Sequence, residues 1–314
     1  MNIISKRVFI PSPGSGVGAM GAAYYCKKSG SELISYLTHI SRSDTADVCY
    51  IKRSLDNGRT WEDSITWDMD FAHPDGTGRR HPRGGYVDPV TGRYILIWTE
   101  GVLPTDDPLE GLKQWTLHYA VSENGDRSRL IEGQIIHDGA DFSPAKHMPG
   151  IELGKNAMMI GDLGCRPITR SDGVIVVPVQ VSPAGEDGYY TNPGDGYTYT
   201  DAMMLFGTWN PDGSLRWTCS ERIIGDPNRT TRGMVEPTIA KLDEGKILCV
   251  MRGSNDARPE LPGYRWYSLS SDGGETWSVP EPWRYSGNTA VQPFHSPSSM
   301  SQLIELSDGR VFWI

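Results

Sequence analysis

The feature that most constrains this chain is an internal repeat. A proline, an apolar stretch, a glycine-containing turn and a second apolar stretch recur as HPRGGYVDPVTGRYILIWTE, CRPITRSDGVIVVPVQV, VEPTIAKLDEGKILCVMRG and SPSSMSQLIELSDGRVFWI. A looser copy opens the chain as FIPSPGSGVGAMGAAYYCKKSGSELISYL. The marker prolines Pro11, Pro82, Pro167, Pro237 and Pro297 stand about 60 to 85 residues apart, a spacing that fits a four-stranded blade with variable loops. Each Asp-Gly or Thr-Gly pair is a hairpin signal between two strand patterns. The repeat therefore predicts an all-β protein, with residues 1–314 forming a single β-propeller domain that has five blade openings.

A second element recurs inside the repeat. RSLDNGRTW and SSDGGETW both fit S-x-D-x-G-x-T-W, from Ser54 to Trp61 and from Ser270 to Trp277. The physical reading is structural: the Asp carboxylate accepts bonds from turn amides, Gly takes a positive φ, and Trp packs beneath the hairpin. Weaker copies surround Asp212 and Asn124. Composition agrees, with 36 Gly, 22 Pro, 10 Trp and 14 Tyr spread along the chain and no long amphipathic helical stretch.

These two turns resemble the Asp boxes of the sialidase superfamily, whose members are six-bladed propellers. The resemblance extends over essentially the whole chain. It implies a six-bladed propeller of which the last blade or blades lie beyond Ile314, because the fifth opening reaches only Ile314. It also implies an exo-acting glycoside hydrolase that removes a terminal acidic sugar, sialic acid or a relative, from a glycan.

The topology of a propeller brings the ends of its inner strands together around one axis. Residues flanking the marker prolines are therefore candidates for the site: Phe9, His81, Arg83, Arg166, Glu236 and His295. The ends of the following strands add His39, Thr99, Gln180 and Arg252. Glu236 and Arg252 are sixteen positions apart on two strands joined by a hairpin, which sets them side by side at the channel mouth. A structural ion pair is the alternative reading. From the resemblance, Glu236 polarises a tyrosine nucleophile, Arg252 belongs to a cluster that grips the substrate carboxylate, and an aspartate before the first Asp box serves as acid/base. Asp44 is the choice for that aspartate over Asp47, since it precedes the strand-like run DVCYIKRS.

Two departures stand out. The family opens on Arg-Ile-Pro, whereas this chain reads Phe9-Ile10-Pro11, and Arg7 falls at a different position by strand alternation. The family's third arginine and its catalytic tyrosine belong to later blades. Arg83, Arg166, and Arg79 and Arg80 around His81 are further basic groups for a sugar carboxylate. The loop from Val181 to Asp201, with Tyr189, Tyr190, Tyr197 and Tyr199, offers aromatic walls for a sugar pocket.

Several classes are excluded or disfavoured. A net charge of −9 argues against a general nucleic-acid partner. No apolar run is long enough for a membrane span, and the start MNIISKRVFIPSPG lacks a signal-peptide core. As written the chain reads as cytoplasmic, or as secreted or periplasmic if a leader has been removed. The five cysteines and seven histidines are scattered, with no CxxC or HExxH pattern, so neither a disulfide framework, a metal nor any other cofactor is expected. Gly16, Gly18 and Gly21 satisfy GxGxxG but precede a hairpin pattern and not a helix, which sets a dinucleotide site aside. Two alternatives to a sialidase-like hydrolase remain. One is a polysaccharide lyase or rhamnosidase-like enzyme on uronic-acid glycans, in which His81 and Arg166 carry the chemistry. The other is a non-catalytic Asp-box propeller that binds glycans.

Overall fold

A computed structural model describes residues 8, 10–42, 45–107, 114–123, 125, 128–139, 143, 145–152, 158–286, 292–296 and 299–314. Asp44, Phe9, Arg7, Asn124 and Pro297 lie outside the described residues. The described chain is all-β, with a single short 3₁₀ turn at Asp243–Gly245.

The strands form antiparallel sheets in chain order. The first blade is β1 (Gly18–Tyr25), β2 (Leu33–Ile40), β3 (Val48–Ser54) and β4 (Ile65–Asp68). The second is β5 (Asp70–His73), β6 (Gly76–Val87), β7 (Tyr94–Leu103), β8 (Gln114–Ser122) and β9 (Arg129–Gln134), where β5 is an extra strand on the free side of β6. The third holds β10 (Met158–Met159), β11 (Ile168–Thr169), β12 (Ile175–Val181), β13 (Asp201–Trp209) and β14 (Leu215–Cys219). The fourth is β15 (Val235–Lys241), β16 (Ile247–Arg252), β17 (Arg265–Ser270) and β18 (Glu281–Pro282), and β19 (Leu303–Glu305) pairs with β20 (Val311–Trp313) in a two-stranded sheet. The described residues thus form a propeller-like arrangement of four blades and a further hairpin, one sheet for each of the five openings in the repeat. Six blades are not observed.

Strand periodicity explains how the sheets stack. Successive side chains point to opposite faces, so Tyr94, Leu96 and Trp98 of β7 pack toward Tyr24, Ile34 and Tyr36 of the first blade. Their neighbours Ile95 and Ile97 pack toward Val177, Val179 and Leu205 of the third. The same division recurs on β16, where Ile247, Cys249 and Met251 meet the third blade and Val250 meets Leu303 beyond the fourth. A blade buried on both faces needs a continuous apolar run, and every residue of β12 is buried. All five cysteines are free thiols.

The marker prolines have a specific place. Proline lacks the N–H that a ladder requires, so it collects at bulges and interruptions. The inner strand β6 slips register between Pro82 and Gly85, and β15 slips between Val235 and Thr238, on either side of Pro237. In the third blade the inner strand is split into β10 and β11 by a loop that contains Pro167, and Pro178 of β12 stands opposite that gap. The prolines therefore flag one recurring irregularity of the inner strands.

The two S-x-D turns are superimposable in their bonding. In each, the Asp carboxylate accepts from the Thr N–H and hydroxyl, Asp56 from Thr60 at 2.8 and 2.6 Å and Asp272 from Thr276 at 3.0 and 2.6 Å. The Ser hydroxyl accepts from the Gly N–H at 2.8 Å in both, Gly58 onto Ser54 and Gly274 onto Ser270. Both turns join the third and fourth strands of their blades, and the Asp212 turn occupies the same place between β13 and β14.

Candidate functional site

The inner strands of four consecutive sheets face a common space. A cavity of about 330 Å³ is lined by Tyr86 of β6, Thr169 of β11, Lys241 of β15 and Glu305 of β19, together with Arg166 and Gln302. The irregularities flagged by proline lie further toward the start of each inner strand, and there the charged residues gather.

Glu236 is the centre of that group. The bulge in β15 sets Glu236 and Pro237 opposite the stretch between Val250 and Arg252, so the Glu236 side chain leaves the regular alternation of the sheet. Its φ is +52°, a left-handed conformation that costs a non-glycine residue on the order of 1 kcal/mol. Its carboxylate lies 3.2 Å from the Arg252 guanidinium, and the two side chains are 14% and 12% exposed. Burial pushes the Glu236 carboxyl above the usual carboxylate range; Arg252 opposes this, nearby Asp162 adds to it, and Arg265 and Arg232 oppose it.

Two of these arginines were not among the residues picked out from the sequence. Arg265 stands directly across the ladder from Arg252 on β17, is buried, and donates to the carbonyls of Ser299 and Met300. Arg232 donates to Thr198 at 2.9 Å and lies over the Tyr197 ring. Burial lowers the pKa of both. Extending the Glu236–Arg252 pairing one strand further would have found Arg265. Asp162 sits in the loop that splits the third inner strand, which no local pattern announces.

The remaining candidates fall in several places. Gln180 is buried against Glu236: its Oε1 accepts the Glu236 N–H at 3.0 Å, linking the third blade to the fourth. Arg166 is exposed, with its guanidinium 4.9 Å from the ring centroid of Tyr24, on which Asp162 and Arg83 also act, and it lines the channel cavity. Arg83 occupies the bulge of β6, and its charge acts on Tyr24 and on His81. His81 is buried edge-on against Trp115, and desolvation, followed by Arg83 and Arg79, holds its pKa well below the ordinary value. His295 is exposed and pairs with Tyr264, their rings 5.4 Å apart. Thr99 is buried opposite His81, and the His39 and Tyr50 rings meet at a tilt with centroids 4.9 Å apart. Asp44 lies outside the described residues; Arg42 and Thr45 on either side are bridged to each other, and Arg42 and Arg79 both bind Asp106.

The tyrosine loop is pinned beside the arginines. Tyr199 is buried with its hydroxyl on the Gly225 carbonyl, and the Tyr190 hydroxyl bonds the Tyr199 backbone. Tyr197 is exposed, its N–H held by Asp256 at 2.9 Å. Tyr189 is exposed beside Lys146. Among the described residues no group of three or more His, Cys, Asp or Glu could hold a metal ion, and no helix is long and apolar enough to cross a membrane.

Antiparallel sheets stacked in chain order, with their inner strands facing a common space, define a propeller-like class of all-β protein. Residues 103–314, two thirds of the chain, match the BNR repeat-like domain, and the chain belongs to that family. A sialidase of Clostridium perfringens is 27% identical over 235 residues, which are 73% of this chain and 52% of that protein. The chain thus spans about half the length of the curated relative it matches. Among solved structures, Hadza microbial sialidase Hz136 aligns at a TM-score of 0.57 and 18% identity, over 90% of this chain and 50% of its own. The intramolecular trans-sialidase from Ruminococcus gnavus aligns at 0.51 and 12% identity, over 90% of this chain and 86% of its own. At these identities the structural likeness concerns the fold.

Proposed function

We propose that the protein is an exo-glycosidase of sialidase type that releases a terminal acidic sugar from a glycan. The observation that carries this reading is the largely buried Glu236–Arg252 pair with Arg232 and Arg265 beside it. Three guanidinium groups gathered at one place, with Glu236, Asp162 and Asp256 among them, offer planar donor pairs that suit a substrate carboxylate. A carboxyl whose proton affinity is raised by burial suits a base.

In this reading Arg252, Arg232 and Arg265 hold the sugar carboxylate. Glu236 takes the proton of a tyrosine hydroxyl whose oxygen attacks the anomeric carbon, and Asp44 protonates the departing glycosidic oxygen. Water then displaces the tyrosine in the second half of the reaction. A neutral nucleophile avoids the repulsion that an anionic one would meet from the substrate carboxylate. The complete propeller would have six blades. Support for hydrolysis over proton abstraction by histidine comes from the burial of His81 against Trp115, which leaves its ring little access to a bound sugar.

The test is incubation of the protein with glycans ending in sialic or uronic acids and measurement of the free sugar. Release of a terminal acidic sugar is expected, with Glu236→Gln and Arg252→Ala each reducing kcat/KM by about 100-fold or more, the loss typical of removing a transition-state contact. An unsaturated uronide as product would favour a lyase. Binding without turnover would favour the non-catalytic reading.

A further inference from the structure

Glu236 presents a puzzle that the proposed chemistry alone does not answer. Among the described residues, the non-glycine residues with positive φ are Asn57, Asp106, Asp195, Glu236 and Glu244. Asn57, Asp195 and Glu244 are exposed, and Asp106 is bound by Arg79 and Arg42. Glu236 alone among these five lies within a strand. The following Pro237 further restricts it, since a residue before proline is pushed toward extended backbone. The equivalent bulge in β6 meets its positive φ with a glycine, Gly84 at +105°. Strain of this kind persists only where the surroundings over-determine it.

The surroundings that do so come from the third blade. The bulge takes the Glu236 N–H out of the β15–β16 ladder, and Gln180 supplies the missing acceptor at 3.0 Å. Gln180 is 3% exposed at the end of β12 and fixed by its pairing with Met159 and Ala202. Because the Glu236 amide can only donate, the carboxamide must turn its oxygen to Glu236 and its NH₂ the other way. Gly161, in the loop that splits the inner strand of the third blade, also closes on Glu236: a Cβ there would fall 2.6 Å from Glu236 Cγ and 2.7 Å from its Cα. Only glycine lets the loop approach so closely.

We infer that Gln180 and Gly161 are positioning residues, which hold the Glu236 backbone in its left-handed conformation and so aim its carboxylate at Arg252 and the substrate. Gln180 thereby acts through Glu236, a different role from the direct substrate contact expected of it from the sequence. The link also makes the geometry of the site depend on the packing of two blades, since the acceptor and the carboxylate belong to different sheets. This inference rests on the catalytic reading of Glu236.

The test compares Gln180→Leu, which removes the acceptor at similar size, with Gln180→Glu, which keeps an acceptor oxygen but adds a charge. Amide hydrogen exchange by NMR reads the Glu236 N–H directly. In Gln180→Leu that amide should exchange at least 100-fold faster, while Ile239 and Val250 of the same blade keep their rates; in Gln180→Glu it should stay slow. In turnover of a terminally sialylated glycan, Gln180→Leu should lower kcat tenfold or more, with a smaller change in KM. Gln180→Glu should recover most of the rate but shift the pH–rate profile upward, as a second carboxylate beside Glu236 demands. Unchanged Glu236 exchange in Gln180→Leu, or equal acceleration at all three amides, would overturn the inference. If the wild type released no acidic sugar, the proposed function would fail, and the exchange measurement would still decide whether Gln180 positions Glu236.

Discussion

At the scale of single residues, the site shows how burial and charge are set against each other. Burial raises the proton affinity of Glu236, and Arg252 is the first group that restrains it. Asp201, at the foot of the tyrosine loop, is a sharper case: desolvation pushes its carboxyl up from 3.8 to about 6 although Arg222 donates to it at 2.9 Å. Between about pH 4 and about pH 6 the folded chain therefore holds a proton at Asp201 that the unfolded chain has released. Stability must fall as the pH rises through that window, by up to ~1.4 kcal/mol per pH unit, and level off above it. Asp201→Asn should flatten this slope, so that denaturant unfolding at pH 4.5 and pH 7 separates the variant from the wild type mainly at the higher pH. An identical pH slope in both proteins would remove Asp201 from the account.

At the scale of strands and turns, what the sequence made legible was local. The hairpin glycines Gly92, Gly173, Gly245 and Gly309 all have φ between +75° and +86° in the structure, and the S-x-D turns form as their residue types require. Asp272 shows the energetic side: despite some burial, bonds from Thr276, Ser270 and Glu275 hold its carboxyl down to about 2. The stability it supplies is complete above the ordinary value of 3.8 and is lost as the pH falls toward 2. Asp272→Ala should cost about 1 kcal/mol at pH 7 and nothing below the turn's own titration, measurable as a fall in Tm that vanishes in acid. The illegible parts were non-local. Nothing in the sequence around Asp162 or Gly161 states that the inner strand breaks there, and the acceptor for the Glu236 amide comes from 56 residues away. Proline was read as the start of a repeat unit, and the structure gives it a second meaning as the mark of a strand irregularity. Arg166, expected at the substrate from its place in the repeat, lies over the Tyr24 ring and lines the channel cavity, a contact between blades that no local pattern announces.

At the scale of the whole molecule, stacking in chain order does the work that no single blade could do. Each of the second, third and fourth sheets buries one face on its predecessor and the other on its successor. The inner edges are thereby drawn toward one axis, where breaks in several strands expose side chains from distant segments. The chain carries a net charge of −9, and Arg232, Arg252 and Arg265 gather among the carboxylates Glu236, Asp162 and Asp256; under the proposed function these guanidinium groups take the sugar carboxylate. Soaking a crystal of the protein with an unsaturated, non-hydrolysable acidic sugar tests this most directly. The expected electron density has the sugar carboxylate at about 3 Å from the Arg252 guanidinium, flanked by Arg232 and Arg265, with the ring facing Glu236. Density for the sugar only on the outer rim of the blades, or only beside Arg166 in the channel cavity, would contradict it.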